Sequence, residues 1–257
     1  MIMAKYNVHA GHCPSGKGAS GAVGLLNESD EARKVKKQVI ALLKKEKHTV
    51  YDCTCDSKQT QSGCLDVIIK KCNKHKVDVD VSIHLNSGRK DKKGDGSTGG
   101  VEVLVYSKDS KAYDKAVRIA EKISKELGIR NRGVKVRTDL SVLKKTNSPA
   151  LLIECCFVDD KDDAEKWNVD KCAKAIAESL QNKTITVESK YYKKYTGKST
   201  QIDVVFKAIG VPSKYCGSAE KRKPIAKKNG YLIGYKGAQK QNLALIEKAK
   251  KGKLKKA

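Results

Sequence analysis

Apolar and polar positions along the chain follow two alternating patterns. Residues 77–84, VDVDVSIH, place an apolar side chain at every second position, which is typical of a strand. Further short apolar runs predict strands at residues 5–9, 48–53, 99–106, 133–137 and 150–156. Apolar residues three and four positions apart predict helices from Asp30 to Leu43, from Leu65 to Cys72, around 110–127 and at about 168–181. This alternation predicts an α/β fold with helices on both faces of a sheet.

The pattern changes near residues 183–190. The segment NKTITVESK at this point carries no helical period. We therefore expect a first domain at residues 1–183, a linker at 184–190 and a second domain at 191–257. In the second domain the pattern predicts two helices, around 200–209 and 239–250, with a turn and a strand in NGYLIGY between them. These elements predict a small α+β domain, which holds six of the ten tyrosines.

Basic residues are concentrated in the C-terminal part of the chain. The formal net charge is +25 for 257 residues, and residues 187–257 contain 19 Lys and Arg against 4 Asp and Glu. Such an excess favours a polyanionic partner, which could be nucleic acid, an anionic lipid or an anionic cell-wall polymer. A solubilising surface is the alternative interpretation.

Hydropathy and cysteine spacing argue against several classes of protein. No apolar stretch is long enough to span a bilayer, and the N-terminal MIMAKYNVHAGH lacks the apolar core of a secretory signal. We therefore expect synthesis in the cytoplasm, so that any action outside the cell needs another route of release. The nine cysteines form no CxxC pair, which argues against a zinc ribbon and against a disulfide framework. Most of them are expected to be free, buried thiols.

Four residues with metal-binding or acid–base chemistry lie where predicted strands end or a helix begins. His12 follows the first strand and Glu28 precedes the first helix, whereas His84 ends the third strand. Glu154 is placed at the end of the last strand. Because sites in open α/β sheets form beyond the carboxyl ends of strands, we expect these side chains to meet. Two imidazoles and a carboxylate form a common catalytic zinc set, and a second carboxylate can move a proton, so the composition fits a hydrolase.

Neighbouring residues are further candidates for the same site. Glu31 is the alternative to Glu28 as a metal ligand. The two glutamates are three positions apart, and the apolar pattern alone predicts where the helix begins. Asn86 and Ser87 follow His84 directly. They would either hydrogen-bond to substrate or form an ordinary turn.

Four segments occur in a set order over roughly residues 5–182: HAGH, GAVGLLNESDEAR, SIHLNS and RGVKV…LSVLKKTNSPALLIECCFVDD. Together they resemble the type 3 zinc-dependent N-acetylmuramoyl-L-alanine amidases, a family that includes bacterial wall-remodelling enzymes and phage endolysins. The resemblance implies a mixed, mostly parallel sheet flanked by helices. It also implies peptidoglycan as the substrate, cut at the amide between N-acetylmuramic acid and L-alanine.

The resemblance assigns roles to the four candidate residues. His12, Glu28 and His84 would hold one zinc ion. Glu154 would activate water and protonate the leaving nitrogen. The family usually has an acidic residue at the position of His9, in a motif like DPGHGG, where this chain reads HAGHCP. His9 is therefore predicted to lie next to the site without being a ligand.

The segments YYKKYTGKS and YKGAQKQNLALIEKAKKGKLKK resemble, less specifically, a C-terminal module of some phage endolysins. Such modules are taken to bind the cell wall, which implies lysine contacts to anionic wall polymers and tyrosine contacts to sugar rings. The same composition suits a dimerisation module with buried tyrosines or, less favoured here, nucleic acid. The resemblance therefore predicts a two-domain endolysin that waits in the host cytoplasm and acts on the wall after release through a membrane pore. A basic nucleic-acid- or wall-binding protein without catalysis is the alternative.

Overall fold

The computed structural model describes residues 3–58, 60–185, 192–231 and 235–257. The chain divides into two units, Met1–Ile185 and Thr186–Ala257. The predicted linker at residues 184–190 therefore lies mostly outside the described residues. Within the part of the chain that is described, no helix is long and apolar enough to cross a membrane.

A six-stranded sheet forms the centre of the first unit. Its strands are β1 (Lys5–Ala10), β2 (Thr49–Asp52), β3 (Val79–Asn86), β4 (Val101–Val105), β5 (Asn131–Val136) and β6 (Ala150–Phe157). Their order across the sheet is β2-β1-β3-β6-β4-β5. The β4–β6 pair is antiparallel, whereas the other neighbouring pairs are parallel. The mixed, mostly parallel sheet is thus confirmed.

Six helices accompany these strands in the described residues of the first unit. They are α1 (Glu28–Lys45), α2 (Gln61–Cys72), α3 (Tyr113–Leu127), α4 (Ser141–Lys145), α5 (Lys161–Lys166) and α6 (Val169–Gln181). The apolar spacing predicts the four longer helices. It does not predict α4 and α5, because their five and six residues are too few to show a repeating period.

Helices cover both faces of the sheet, as the alternation of strands and helices predicts. On β6, Leu151 and Ile153 are buried in a hydrophobic cluster that contains side chains of α1, α3 and α6. The alternate residues, Ala150 and Leu152, belong to another cluster that contains side chains of α2 and α4. Because successive side chains of a strand point to opposite faces, the two clusters lie on opposite sides of the sheet. Burial on both sides explains why this strand is a nearly continuous apolar run.

The start of α1 is set by polar residues, and it determines the position of Glu28. The side chain of Asn27 accepts a hydrogen bond from the Asp30 N–H, and acidic residues fill the first turn. An asparagine at the N-cap and negative charge near the helix N-terminus both stabilise this start. Glu28 is therefore the first residue of α1, whereas the apolar pattern predicts it in the loop before the helix. The difference arises because the apolar spacing begins only at Ala32.

The described part of the second unit is helical. It contains α7 (Ile202–Ala208), a 3₁₀ turn (Ser213–Tyr215), α8 (Ala219–Lys228) and α9 (Gln239–Lys250). The apolar pattern predicts α7 and α9. It does not predict α8, which has Pro224 in its interior and buries few apolar side chains. The predicted strand in NGYLIGY includes residues 232–234, which lie outside the described residues.

Three of the C-terminal tyrosines belong to the core of the second unit. Tyr192, Tyr195 and Tyr235 are buried in one hydrophobic cluster. The Tyr235 hydroxyl accepts a hydrogen bond from Arg222 Nε at 3.1 Å and donates one to Asn242 Oδ1 at 2.6 Å. These three rings therefore stabilise the unit and are not free to stack on sugar rings.

Candidate functional site

The imidazoles of His12 and His84 converge on the carboxylate of Glu28. His12 Nε2 and His84 Nδ1 each lie 3.0 Å from Glu28 Oε1. The ligand atoms of the three residues all lie within 4.8 Å of one another, so this ligand group could hold a metal ion. The three side chains come from the loop after β1, the first turn of α1 and β3. The structure thus brings together the three residues that the sequence analysis proposes as ligands.

Two glycines make room for the ligand group. A Cβ at Gly11 would overlap the His84 imidazole, and a Cβ at Gly21 would crowd the Glu28 carboxylate. His12 follows Gly11 and has a φ of 58°, in the left-handed region that few side chains adopt. The loop between β1 and α1 can therefore approach β3 closely and present His12 to the other two ligands.

The Glu28 carboxylate is ionised at neutral pH. Burial raises its pKa, but hydrogen bonds with His12 and His84 outweigh that effect, and the net pKa lies well below the ordinary value. The backbone N–H groups of Leu85 and Ala22 donate to its two oxygens at 3.3 and 2.9 Å. Glu28 therefore offers a negative charge although the residue is only 4% exposed to solvent.

His84 is neutral at neutral pH and is connected through Ser82 to His9, which is buried. Burial lowers the pKa of His84 against the opposing effect of Glu28, and neutral imidazole is the form that binds metals. Its Nε2 lies 3.1 Å from Ser82 Oγ, which in turn lies 3.5 Å from His9 Nδ1. Burial and, to a smaller extent, the neighbouring His84 lower the pKa of His9 to about 3. His9 thus lies beside the ligand group without belonging to it.

Glu154 lies in a row of residues that crosses the sheet through His84. β6 pairs with β3 so that Glu154 is in register with His84, and it pairs with β4 so that Glu154 is opposite Glu102. The prediction that Glu154 ends its strand is wrong, because the backbone pairing of β6 continues to Phe157. β3 likewise extends past His84 to Asn86, so the two residues still meet at the same level of the sheet.

The environment of Glu154 favours the protonated carboxyl. Its Oε2 atom is buried and has no hydrogen-bond partner among the described residues. Burial and the nearby carboxylates of Glu28 and Glu102 raise the pKa of Glu154 to about 8, whereas the guanidinium of Arg137 acts in the opposite direction. A carboxyl group with a pKa in this range can both accept and donate a proton near neutral pH.

A cleft of about 330 Å³ opens over these residues, and it is lined by His12, His84 and Glu154. Apolar side chains from α2, α4, β4, β6 and the α4 N-cap also line it: Leu65, Ile68, Leu104, Leu140, Val142 and Leu152. Arg137 lies on the same cleft, where it donates to both carboxylate oxygens of Asp139 at 2.8 and 2.7 Å. The cleft therefore combines metal-binding donors, a carboxyl group suited to proton transfer and apolar walls.

Three other candidates from the sequence lie outside the ligand group. Glu31 accepts a hydrogen bond from Trp167 Nε1 at 2.8 Å, so its carboxylate is engaged elsewhere. Asn86 donates to Glu102 Oε1 at 3.1 Å, and the Ser87 N–H donates to Asn86 Oδ1 at 2.8 Å. Asn86 therefore contacts the carboxylate of Glu102, while Ser87 lies in the loop that follows β3.

Sequence reasoning misses Ser82, Glu102 and Arg137. Ser82 and Glu102 each occupy a polar position in a predicted strand, within VDVDVSIH and GGVEVLVY. Glu102 is an isolated polar residue in an otherwise apolar strand, which is a signal that could have identified it. Ser82 is one of four polar positions in VDVDVSIH and carries no such signal. Arg137 ends the strand predicted at 133–137, which is the same signal that identifies the histidine candidates.

Asp91, Asp160 and Asp162 form a second group whose ligand atoms could hold a metal ion. Their carboxylates accept hydrogen bonds from backbone N–H groups of residues 94–96 and of the first turn of α5. Asp160 also accepts a hydrogen bond from Arg89 Nε at 2.9 Å. These contacts show that the three carboxylates shape the loop before β4.

Comparisons with known proteins match the first unit. A family model for N-acetylmuramoyl-L-alanine amidases matches residues 7–183. The endolysin of Bacillus phage SPP1 is 33% identical over 175 residues, which cover 66% of this chain and 60% of the endolysin. An uncharacterized protein of Clostridium perfringens strain 13 is 33% identical over 170 residues, or 65% of this chain and 49% of that protein. The chain thus spans about half the length of the curated relatives that it matches.

Solved structures share the fold of the first unit. The catalytic domain of the CD27L endolysin targeting Clostridia difficile has a TM-score of 0.62 at 30% identity, covering 71% of this chain and 99% of that domain. The catalytic domain of CwlV, an N-acetylmuramoyl-L-alanine amidase from Paenibacillus polymyxa, has a TM-score of 0.57 at 26% identity, covering 70% of this chain and 97% of that domain. These matches confirm the resemblance carried by the four sequence segments, and the chain therefore belongs to the N-acetylmuramoyl-L-alanine amidase family.

Proposed function

We propose that the first unit is a zinc-dependent amidase that hydrolyses the amide bond between N-acetylmuramic acid and L-alanine in peptidoglycan. One observation carries the proposal: His12, Glu28 and His84 bring their ligand atoms within 4.8 Å of one another. Glu154 lies beside them in the sheet register. Family membership indicates the reaction class, and these residues supply the chemistry that the reaction needs.

The ligand group fits a single zinc ion. Two imidazoles and one carboxylate are a donor set typical of catalytic zinc, which keeps a further coordination position open. The ionised Glu28 and the neutral His84 have the protonation states that cation binding requires. Bound zinc would lower the pKa of water toward ~7 and polarise the scissile carbonyl. His12, Glu28 and His84 would hold the ion.

Glu154 would move the proton during hydrolysis. Its buried Oε2 has no partner among the described residues, so it is available to the attacking water. As a carboxylate it takes a proton from that water, and as a carboxylic acid it delivers the proton to the amide nitrogen while the bond to L-alanine breaks. The raised pKa of Glu154 favours the delivery of the proton to the amide nitrogen, because the protonated form persists at neutral pH.

The second unit would hold the enzyme on anionic polymers of the cell wall, after release of the protein from the cytoplasm. Residues 187–257 contain 19 Lys and Arg against 4 Asp and Glu, which supports this assignment. Because Tyr192, Tyr195 and Tyr235 lie in the core, attraction between lysines and anionic groups would contribute more than ring stacking. Self-association of this unit would add avidity for a repetitive polymer.

The test of the proposed reaction uses purified peptidoglycan as the substrate. New amino termini and new reducing sugar ends are counted after digestion, with and without a zinc chelator. We expect new N-terminal L-alanine, no new reducing ends, and loss of both cleavage and bound metal with the chelator. Recovery of cleavage on adding zinc would assign the loss to the metal.

The other outcomes of this experiment would contradict the proposal in distinguishable ways. New termini other than L-alanine would indicate a metallopeptidase. New reducing ends would indicate a glycosidase. An absence of new ends, with retention on the wall, would favour a binding protein without catalysis.

A further inference from the structure

Two buried cysteines from distant parts of the chain bring their sulfur atoms together beside the site. Cys13 Sγ lies 2.7 Å from Cys64 Sγ, although 51 residues separate the two positions. Both side chains belong to the hydrophobic cluster that includes α2. Cys13 directly follows His12, and Cys64 lies in the first turn of α2 and lines the cleft.

Backbone contacts hold both cysteines in place. The Cys13 N–H donates to the Ala19 carbonyl at 3.1 Å, and its carbonyl accepts a hydrogen bond from Ser29 Oγ at 2.8 Å. The Cys64 N–H donates to the Thr60 carbonyl at 2.9 Å. The sulfur atoms are therefore brought together by a defined loop and a defined helix end. Their separation exceeds the length of a disulfide bond, about 2.05 Å, by less than one ångström.

We propose that Cys13 and Cys64 form a reversible disulfide by exchange with low-molecular-weight disulfides such as oxidised glutathione. The inference is independent of the hydrolytic reaction, which uses neither thiol. It assigns the pair as a site of covalent modification next to the ligand group.

The exchange proceeds in two balanced steps. The Cys64 sulfur, which lines the cleft, attacks one sulfur of the reagent; a Cys64–glutathione bond forms, and one glutathione leaves as a thiolate that takes up the Cys64 proton. The Cys13 sulfur then attacks Cys64 Sγ, and the second glutathione leaves with the Cys13 proton. Two protein thiols are oxidised by two electrons, and one molecule of oxidised glutathione is reduced to two of glutathione.

The cross-link would join the segment that carries His12 to the helix on the cleft wall. Closing a loop of this length constrains the unfolded chain. We therefore expect the oxidised protein to unfold at a higher temperature than the reduced protein, and dithiothreitol to reverse the difference.

Peptide mapping of the full-length protein tests the pairing directly. The protein is equilibrated in buffers of increasing oxidised-to-reduced glutathione ratio, its free thiols are alkylated, and it is digested with trypsin without reduction. Trypsin places Cys13 in residues 6–17, Cys64 in residues 59–70, and Cys53 with Cys55 in residues 48–58. We expect a species that joins residues 6–17 to 59–70 and disappears after dithiothreitol.

Two results would overturn the proposal. One is recovery of both peptides with alkylated thiols at every glutathione ratio. The other is a link from residues 59–70 to residues 48–58, which would assign Cys55 as the partner, since Cys55 also lies beside Cys64. Neither result depends on amidase activity, so the pairing and the proposed function can fail separately.

Matched variants test the order of the two steps. Cys13→Ser should accumulate a glutathione adduct on residues 59–70, because the resolving thiol is missing. Cys216→Ser in the second unit, where Cys216 is the least buried of the cysteines, should leave the cross-link unchanged. Absence of the adduct on Cys64 in a folded Cys13→Ser protein would contradict the proposed order, and the wild-type map decides the pairing whether or not this variant folds.

Discussion

Glu28 and Glu154 lie in the same site, yet the protein displaces their pKa values in opposite directions. Glu28 receives hydrogen bonds from two imidazoles and two backbone N–H groups, which stabilise its charge. Glu154 has a buried oxygen without a partner and two carboxylates nearby, which disfavour its charge. Two carboxylates with such different environments are suited to different roles, one as a ligand and one as a proton carrier.

Replacing Glu154 with glutamine tests its role as the proton carrier. Glu154→Gln keeps the shape of the side chain but cannot accept or deliver the proton. We expect turnover on peptidoglycan to fall by about 10²- to 10⁴-fold, with the bound metal retained. Turnover and metal content are measured on the same preparation. A variant with near-normal turnover would remove Glu154 from the mechanism.

The raised pKa of Glu154 predicts that the metal-free protein loses stability as the pH rises. Its pKa rises from 4.5 to about 8 on folding, so the folded state holds the proton more tightly than the unfolded state. The protonated carboxyl contributes to the free energy of unfolding. This contribution is fully present below the pKa of the unfolded state, and it is lost as the pH rises through the pKa of the folded state. We therefore expect Glu154→Gln to gain stability relative to wild type between about pH 5 and about pH 8.

Urea unfolding of both metal-free proteins at several pH values measures this difference. A difference in the free energy of unfolding that does not change with pH would show that Glu154 ionises normally in the fold.

At the scale of elements, strand register aligns the polar residues of the candidate site, and a helix cap places Glu28 beside them. β3, β6 and β4 are neighbours in the sheet, so His84, Glu154 and Glu102 align across it. Glu28 reaches this row because it is the first residue of α1, directly after the Asn27 N-cap, and its carboxylate accepts a hydrogen bond from the Leu85 N–H of β3. The site therefore depends on the position of the N-terminal end of α1.

Removing the N-cap of α1 should weaken metal binding as well as the fold. Asn27→Ala deletes the acceptor for the Asp30 N–H, and we expect the free energy of unfolding to fall by about 1 kcal/mol. Because Glu28 is the next residue, we also expect a lower affinity for zinc. Titration with zinc and chemical unfolding measure the two effects.

Asn168→Ala provides the matched control for this prediction. Asn168 caps α6 in the same way, by accepting a hydrogen bond from the Lys171 N–H, but it is not next to a ligand. We expect a similar loss of stability with unchanged zinc affinity. Equal zinc affinities for the two variants would show that the α1 cap does not position Glu28.

At the scale of the whole molecule, the two units carry different parts of the proposed function. The family match ends at residue 183, whereas the first unit extends to Ile185. Ile185 is 1% exposed, and its N–H donates to Glu178 Oε1 at 2.7 Å. Ile185 thus completes the core of the first unit, and the larger part of the basic excess lies beyond it.

Truncation after Ile185 tests this division. We expect residues 1–185 to remain folded, to bind zinc and to hydrolyse soluble muramoyl-peptide fragments at a rate similar to that of the whole chain. Retention on intact walls should be lost, together with its sensitivity to salt, because salt screens exposed charges. Truncation after residue 183 serves as the control, and it should be less stable because it lacks Ile185. Undiminished wall retention by residues 1–185 would contradict the role proposed for the second unit.

Much of the fold and the site could be predicted from the chain alone. The predicted strands and the four longer helices of the first unit are present, because long periodic segments bury one consistent face. The short helices α4 and α5 and the helix α8 could not be predicted, since their burial depends on neighbouring elements. Strand ends, a helix start and a family resemblance predict the roles of His12, Glu28, His84 and Glu154, and these roles stay predictions. Glu154 lies within β6 rather than at its end.

The sequence by itself determined the order of strands and helices, the candidate ligands and the concentration of positive charge near the C-terminus. These properties are local, since periodicity, residue type and charge can be read from neighbouring positions. Only the tertiary structure decided which distant side chains meet: the register of His84 with Glu154 and Glu102, the approach of Cys13 to Cys64, and the burial that raises the pKa of Glu154. Those properties depend on distances and desolvation, which exist only after the sheet and its helices have packed together.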